Sequence, residues 1–128
     1  MIIPISNTIL DDFNMENSEF LVTPSCYLNK SGDQEYRLYS YLTTFFNDIT
    51  ILDIGTLDGR SAISLSHNET NNVISYDIGN NIPDNHKIYS KQNIKFNIKN
   101  VLNDLNEDFV KNIKIVMIDI DHYGTIEM

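Results

Sequence analysis

An α/β fold with a parallel sheet and helices on its faces is predicted by three observations. Apolar strand-like runs alternate with helix-like segments; the run Ile51-Leu52-Asp53-Ile54 breaks into a turn bracketed by Gly55 and Gly59; and a carboxylate, Asp77, ends the strand that follows. Strands alternating with helices imply right-handed βαβ crossovers and therefore parallel pairing. At 128 residues and 41% hydrophobic, the chain can form one domain with a real core and is too short for two.

Residues 1–30 show no sustained period and read as an N-terminal arm, with a short helix around Asp11 to Leu21 that Thr23-Pro24 breaks. Residues 31–128 read as the folded domain. Ser31 and Gln34 stand at capping-box spacing, so Ser31 is expected to cap the next helix while Gln34 reaches back to it. Tyr36, Tyr39, Leu42, Thr43 and Phe46 then follow at three- and four-residue steps, one apolar face for covering the sheet. Strands are predicted at Thr50 to Ile54, Val73 to Tyr76, Ile94 to Ile98 and Ile113 to Asp119, and helices near Arg60 to His67 and Val101 to Lys111. The last run, Ile113 to Ile120, is nearly all apolar, as a strand buried on both faces reads.

The turn after the first strand carries the chemistry. Gly55 and Gly59 supply positive φ or room for a ligand where a strand reverses into a helix. The amides of Thr56, Arg60, Ser61 and Ala62 fall where orphan N–H groups of a helix start can meet an anionic group, and Ser61 adds a hydroxyl. Asp77, beyond the second strand, is placed to accept hydrogen bonds from the vicinal hydroxyls of a ribose. A dinucleotide fingerprint needs a glycine where this chain has Leu57, so a pyrophosphate loop and a nicotinamide-dependent oxidoreductase are disfavoured.

The pattern Asp53-x-Gly55-Thr56-x-x-Gly59-x-Ser61-Ala62 resembles motif I of the class I S-adenosylmethionine-dependent methyltransferases. Within them it looks most like the branch of the catechol and caffeoyl-CoA O-methyltransferases. Ser31-Gly32-Asp33-Gln34-Glu35 is similar to a segment that precedes motif I there, Val73 to Asp77 to motif II, and Ile115 to Tyr123, with Ile118-Asp119-Ile120-Asp121-His122, to the fourth strand and its exit. The resemblance spans about Ser31 to the end of the chain. It implies a Rossmann-like sheet, the first four strands of that fold, with S-adenosylmethionine held by Asp53, Gly55, Thr56, Gly59, Ser61 and Asp77. Asn97 or Asn100 would meet the adenine.

The same resemblance implies methyl transfer to a small hydroxylated molecule or sugar-like metabolite. Asp119 stands where the branch has its first metal-ligand aspartate, for Mg²⁺ or another divalent cation, and Asp121 and His122 would border cofactor or substrate as catalytic residues. The family's full sheet has seven strands, and its Asp-Asn pair, the other metal ligands, lies on a later strand that has no counterpart here. Two expectations follow: a further C-terminal segment or a second copy of the chain pairs along the fourth-strand edge, and the alternative function is a non-catalytic cofactor-binding or protein-interaction module.

Composition excludes other classes. A net charge of −9 with scattered Lys and Arg disfavours long nucleic acid. No run is apolar enough for a signal peptide or a membrane span, and the lone Cys26 suits a reducing, cytoplasmic compartment. Asn-rich patches such as Asn68 to Asn72 read as loops from an AT-rich coding sequence, without chemical meaning. Asp58 reads as a solvated charge, His67 and His86 as surface residues, and Tyr76 and Tyr123 as packing residues.

Overall fold

A computed structural model describes residues 1–15, 19–22 and 34–119. The expectations placed on Cys26, on Ser31 to Asp33 and on Asp121, His122 and Tyr123 lie outside the described residues. In chain order the elements are α1 (Asn7–Asp12), α2 (Glu35–Thr43), β1 (Thr50–Ile54), α3 (Arg60–Leu65), β2 (Asn72–Asp77), β3 (Ile94–Ile98), α4 (Glu107–Lys111) and β4 (Ile113–Ile118). Single 3₁₀ turns lie at Lys87–Ser90 and Val101–Asn103.

The described residues form one four-stranded sheet in the order β3-β2-β1-β4, with every pairing parallel, the predicted α/β Rossmann-like arrangement. Chain order runs outward from β1 through β2 to β3 and then crosses back to β4. The switch point is therefore between β1 and β4, where the loops leaving the strands diverge and open a crevice.

On one face, α2 and α3 cover the sheet. Ile51 and Val73 pack against Ala62 and Leu65, and a second cluster joins Ile63 to Leu21, Ile82 and Ile88. The Ser40 hydroxyl donates to Ser64 O at 2.8 Å and ties the two helices together. On the other face, Leu52, Tyr76 and Val101 form a smaller cluster with Phe109 and Ile113 at its margin.

Several predicted details are corrected. The N-terminal helix begins earlier, at Asn7, because Ser6 caps it by accepting from Ile9 N, and Phe13 leaves the helix in an extended conformation. This segment is docked rather than loose: the Arg37 guanidinium donates to Leu10 O and Phe13 O at 3.0 and 2.8 Å, and Tyr41 Oη donates to Pro4 O. The Gln34 amide donates to Asp11 Oδ1 at 2.7 Å and so holds α1 to α2, while the capping box expected between Ser31 and Gln34 lies outside the described residues. The expected helix over 101–111 is two pieces. Asn100 and Asn106 each turn their side chains onto the amide two or three residues ahead, starting separate short turns in place of one continuous helix.

Among the described residues β4 is the outermost strand beside β1, and it is not buried on both faces. Ile115 and Met117 face the α2/α3 side, whereas Val116 and Ile118 remain 52% and 45% exposed because α4 reaches only as far as Ile113. The asparagines before β2 are structural. Asn71 is fully buried, accepts from Ile49 N and donates to Phe46 O, splicing the end of α2 onto the sheet.

Candidate functional site

The loops at the carboxyl ends of the strands enclose a cleft of about 600 Å³ at the switch point, within the range of small-molecule sites. Its floor is Ile54 to Asp58 with Arg60 and Ser61, the predicted Gly59 lying off its surface; one wall is Tyr76 to Ile78 with Lys99 to Leu102 and Leu105, and the other is Glu35, Tyr36 and Tyr39 of α2 with Met117 to Asp119 of β4.

The floor is a strained turn. Gly55 and Gly59 have φ of +90° and +91°, as the predicted turn requires, and Leu57 between them is also left-handed at +54°. A leucine there costs about 1–2 kcal/mol, and two contacts hold it. Gly55 N donates to Tyr76 O at 2.8 Å, and Leu57 N donates to Asp77 Oδ2 at 2.8 Å. Asp77 therefore clamps the turn from the neighbouring strand, and its Oδ1 accepts from Gly79 N at 2.9 Å. Each carboxylate oxygen keeps a second lone pair. Leu57 is thus more than a departure from a dinucleotide fingerprint: its side chain is exposed at the lip while its amide faces the carboxylate.

Asp53 lies beneath this floor at 0% exposure. Its Oδ2 accepts from Ser75 Oγ at 2.9 Å, and its Oδ1 has no hydrogen-bond partner. Burial pushes the carboxyl up to about 6, against the opposing pull of the Ser61, Ser75 and Thr56 hydroxyls and with a small further push from Asp77. Thr56 and Ser61 sit over it with their hydroxyls 3.5 Å apart and reach the cleft from the same turn. Asp53 itself is not on the cleft surface, so it acts through those hydroxyls.

Asp58 is the opposite of the solvated charge expected. It is 8% exposed, and both of its oxygens accept from Arg60 Nε at 2.9 Å. Ala62 is fully buried and away from the cleft, so its amide takes no part. Of the two asparagines proposed for the adenine, Asn100 lines the cleft and Asn97 does not. The Asn100 Oδ1 is engaged by Leu102 N at 3.0 Å. His86 caps the 3₁₀ turn at Lys87 through Nδ1, and His67 packs against Phe13 with ring centroids 4.9 Å apart; both are half-buried structural groups.

Residues that spacing alone did not mark complete the walls. Tyr36 and Tyr39, read as core residues of an amphipathic helix, face the cleft with rings edge to face at 5.9 Å. The Tyr39 hydroxyl is pushed up by burial and then by the charges of Glu35, Asp119 and Asp53. Tyr76 packs as expected, and its hydroxyl also donates to Asp104 Oδ2 at 2.6 Å, while Lys99 Nζ pairs with the same carboxylate at 2.8 Å. This clasp holds the 99–105 wall to β2. Burial, reinforced by Asp104, pushes the Tyr76 hydroxyl up to about 12, and the hydrogen bonds from Lys99 and Tyr76 draw Asp104 down. Tyr76→Phe is expected to cost about 1 kcal/mol, the net worth of one such bond, read as a shift of the urea midpoint with an unchanged slope.

Neither a family model nor a curated protein matches the chain. The functional argument therefore stands on the cleft itself. Among the described residues four carboxylates line it, Glu35, Asp58, Asp77 and Asp119, against two cations, Arg60 and Lys99. Such a surface repels phosphate and favours a cationic or neutral guest.

Asp119 is exposed at the exit of β4, with its amide held by Ile54 O at 2.9 Å, and among the described residues no group of three or more His, Cys, Asp or Glu side chains is arranged for a metal. No helix among the described residues is long and apolar enough to cross a membrane.

Proposed function

We propose that this chain is an S-adenosylmethionine-dependent methyltransferase domain, acting in the cytoplasm on a small hydroxylated molecule. The observation that carries the reading is the open cleft over the left-handed Gly55–Gly59 turn, with the Asp77 carboxylate at its lip. The acceptor lone pairs of Asp77 suit the two hydroxyls of a ribose, and Asn100 with Val101 and Leu102 offers a polar and an apolar surface for a purine. The excess of carboxylates suits a sulfonium, whereas the pyrophosphate of a dinucleotide would meet repulsion and the Leu57 side chain.

When bound, the cofactor supplies an electrophilic methyl group for in-line transfer. The protein's part is alignment: the turn fixes the nucleoside from below, Tyr36 and Tyr39 wall the opposite side, and Asp119 at the mouth is placed to accept a proton from an acceptor hydroxyl. Calorimetric titration with S-adenosylmethionine and S-adenosylhomocysteine tests the binding. Micromolar affinity is expected, falling at least tenfold in Asp77→Ala and in Gly55→Val while both variants still melt cooperatively. Absence of heat with every adenosyl ligand overturns the reading.

A second reading, an interaction module without turnover, is favoured by the exposed Val116 and Ile118 on β4, the outermost of the described strands beside β1, which offer an apolar row and unpaired backbone groups to another chain. Binding of the cofactor without methyl transfer to any hydroxylated acceptor, together with self-association lost in Val116→Lys, would select it.

A further inference from the structure

We propose that the corner of the cleft formed by Glu35, Tyr36, Tyr39 and Asp119 is a subsite for the ammonium group of a small organic amine, separate from the nucleoside end of the cleft. The inference deepens the proposed function by assigning a positive charge to the acceptor.

The argument begins with which charges are already matched. Both cations of the lining are engaged: Arg60 Nε with Asp58 at 2.9 Å, and Lys99 Nζ with Asp104 at 2.8 Å. Asp77 accepts from the amides of Leu57 and Gly79. Glu35 and Asp119 remain, and among the described residues neither side chain forms an ion pair. They come from different elements, the first turn of α2 and the exit of β4, and line the same wall of the cleft as Tyr36 and Tyr39. Unmatched negative charge thus converges on an aromatic pair whose rings meet edge to face at 5.9 Å on the wall of a roomy cleft.

Aromatic rings with flanking carboxylates are the chemistry that holds alkylammonium groups, by ring quadrupole and charge together. A hydrated metal ion has little use for the rings, and an anion is repelled. The corner lies on the β4 side of β1, whereas Asp77 lies on the β2 side, so the two ends can be filled independently.

The probes are benzylamine and its neutral counterpart benzyl alcohol, titrated into the full chain with and without saturating S-adenosylhomocysteine. Benzylamine is expected to bind at least tenfold tighter than benzyl alcohol, and to do so equally with the nucleoside present. Discrimination should fall below threefold in Glu35→Gln/Asp119→Asn, with the melting temperature and the affinity for 5′-methylthioadenosine, a nucleoside without an amino-acid tail, unchanged.

Equal affinity for amine and alcohol, or no binding of either, overturns the proposal. So does loss of benzylamine binding when S-adenosylhomocysteine is present, if 5′-methylthioadenosine does not displace it, because the corner would then belong to the amino-acid tail of the nucleoside ligand. Amine discrimination in a protein that binds no adenosyl ligand would sustain the subsite while the cofactor reading falls.

Discussion

Gly59→Val is expected to destabilise the fold by about 2–5 kcal/mol, a large share of the stability of an ordinary domain. Two independent costs act at this position. A β-branched residue at φ +91° pays about 1–2 kcal/mol for the left-handed backbone, and the new Cβ would sit 2.3 Å from Ile88 Cδ1. Ile88 is fully buried in the cluster with Ile63, Ile82 and Leu21, so it has no empty space to move into, and overpacking of this kind costs about 1–3 kcal/mol more. Gly79→Ala supplies the control. Its nearest contact would be Asn81 Nδ2 at 3.1 Å, the end of an exposed side chain that can swing away, and a change within about 0.5 kcal/mol is expected. Urea denaturation of the two variants decides the matter: similar midpoints would mean that Gly59 is dispensable and that the turn is not anchored to the Ile88 cluster.

The glycine pattern was legible because the reason for it is local. A strand that must reverse into a helix leaves few residue types for the positive φ positions, and Gly55 and Gly59 are those positions. The parallel sheet was legible for a similar reason, since β1 and β3 begin and end where their apolar runs do. What was hidden is tertiary. Asp58 reads as a surface charge until Arg60 is seen folded back onto it. Asn71 belongs to a run that looks like linker, yet it is the splice between α2 and β1. Tyr36 and Tyr39 have the spacing of core residues because they do pack, and only the empty volume beside them shows that they also wall a cleft. Helix period reports which face is apolar; it does not report whether protein or ligand covers that face. The exposed row on β4 escaped for the mirror-image reason. An apolar run marks a strand able to be buried on both sides, and whether it is depends on how far the short α4 extends.

Asp53→Asn is expected to stabilise the protein above pH 7 and to weaken its ligand. In the folded chain the Asp53 carboxyl is raised to about 6 from an ordinary 3.8, with burial as the main cause. The folded state therefore binds this proton more tightly than the unfolded state does. Its contribution to stability is fully present below about pH 4 and is lost as pH rises through about 6, a change of about 3 kcal/mol at most by the usual conversion. Wild-type unfolding free energy should fall by about 2–3 kcal/mol between pH 4 and pH 8 on account of this group, and the variant should lack that component. An asparagine keeps an acceptor for the Ser75 hydroxyl and brings no charge to bury. A carboxylate held at such a cost beneath Thr56 and Ser61 is what a binding site retains to orient those two hydroxyls toward a guest. The variant should accordingly melt higher at pH 8 and bind S-adenosylmethionine at least tenfold more weakly. A variant no more stable than wild type at pH 8 would show that Asp53 is already compensated in the folded chain. Unchanged affinity would detach it from the cleft above.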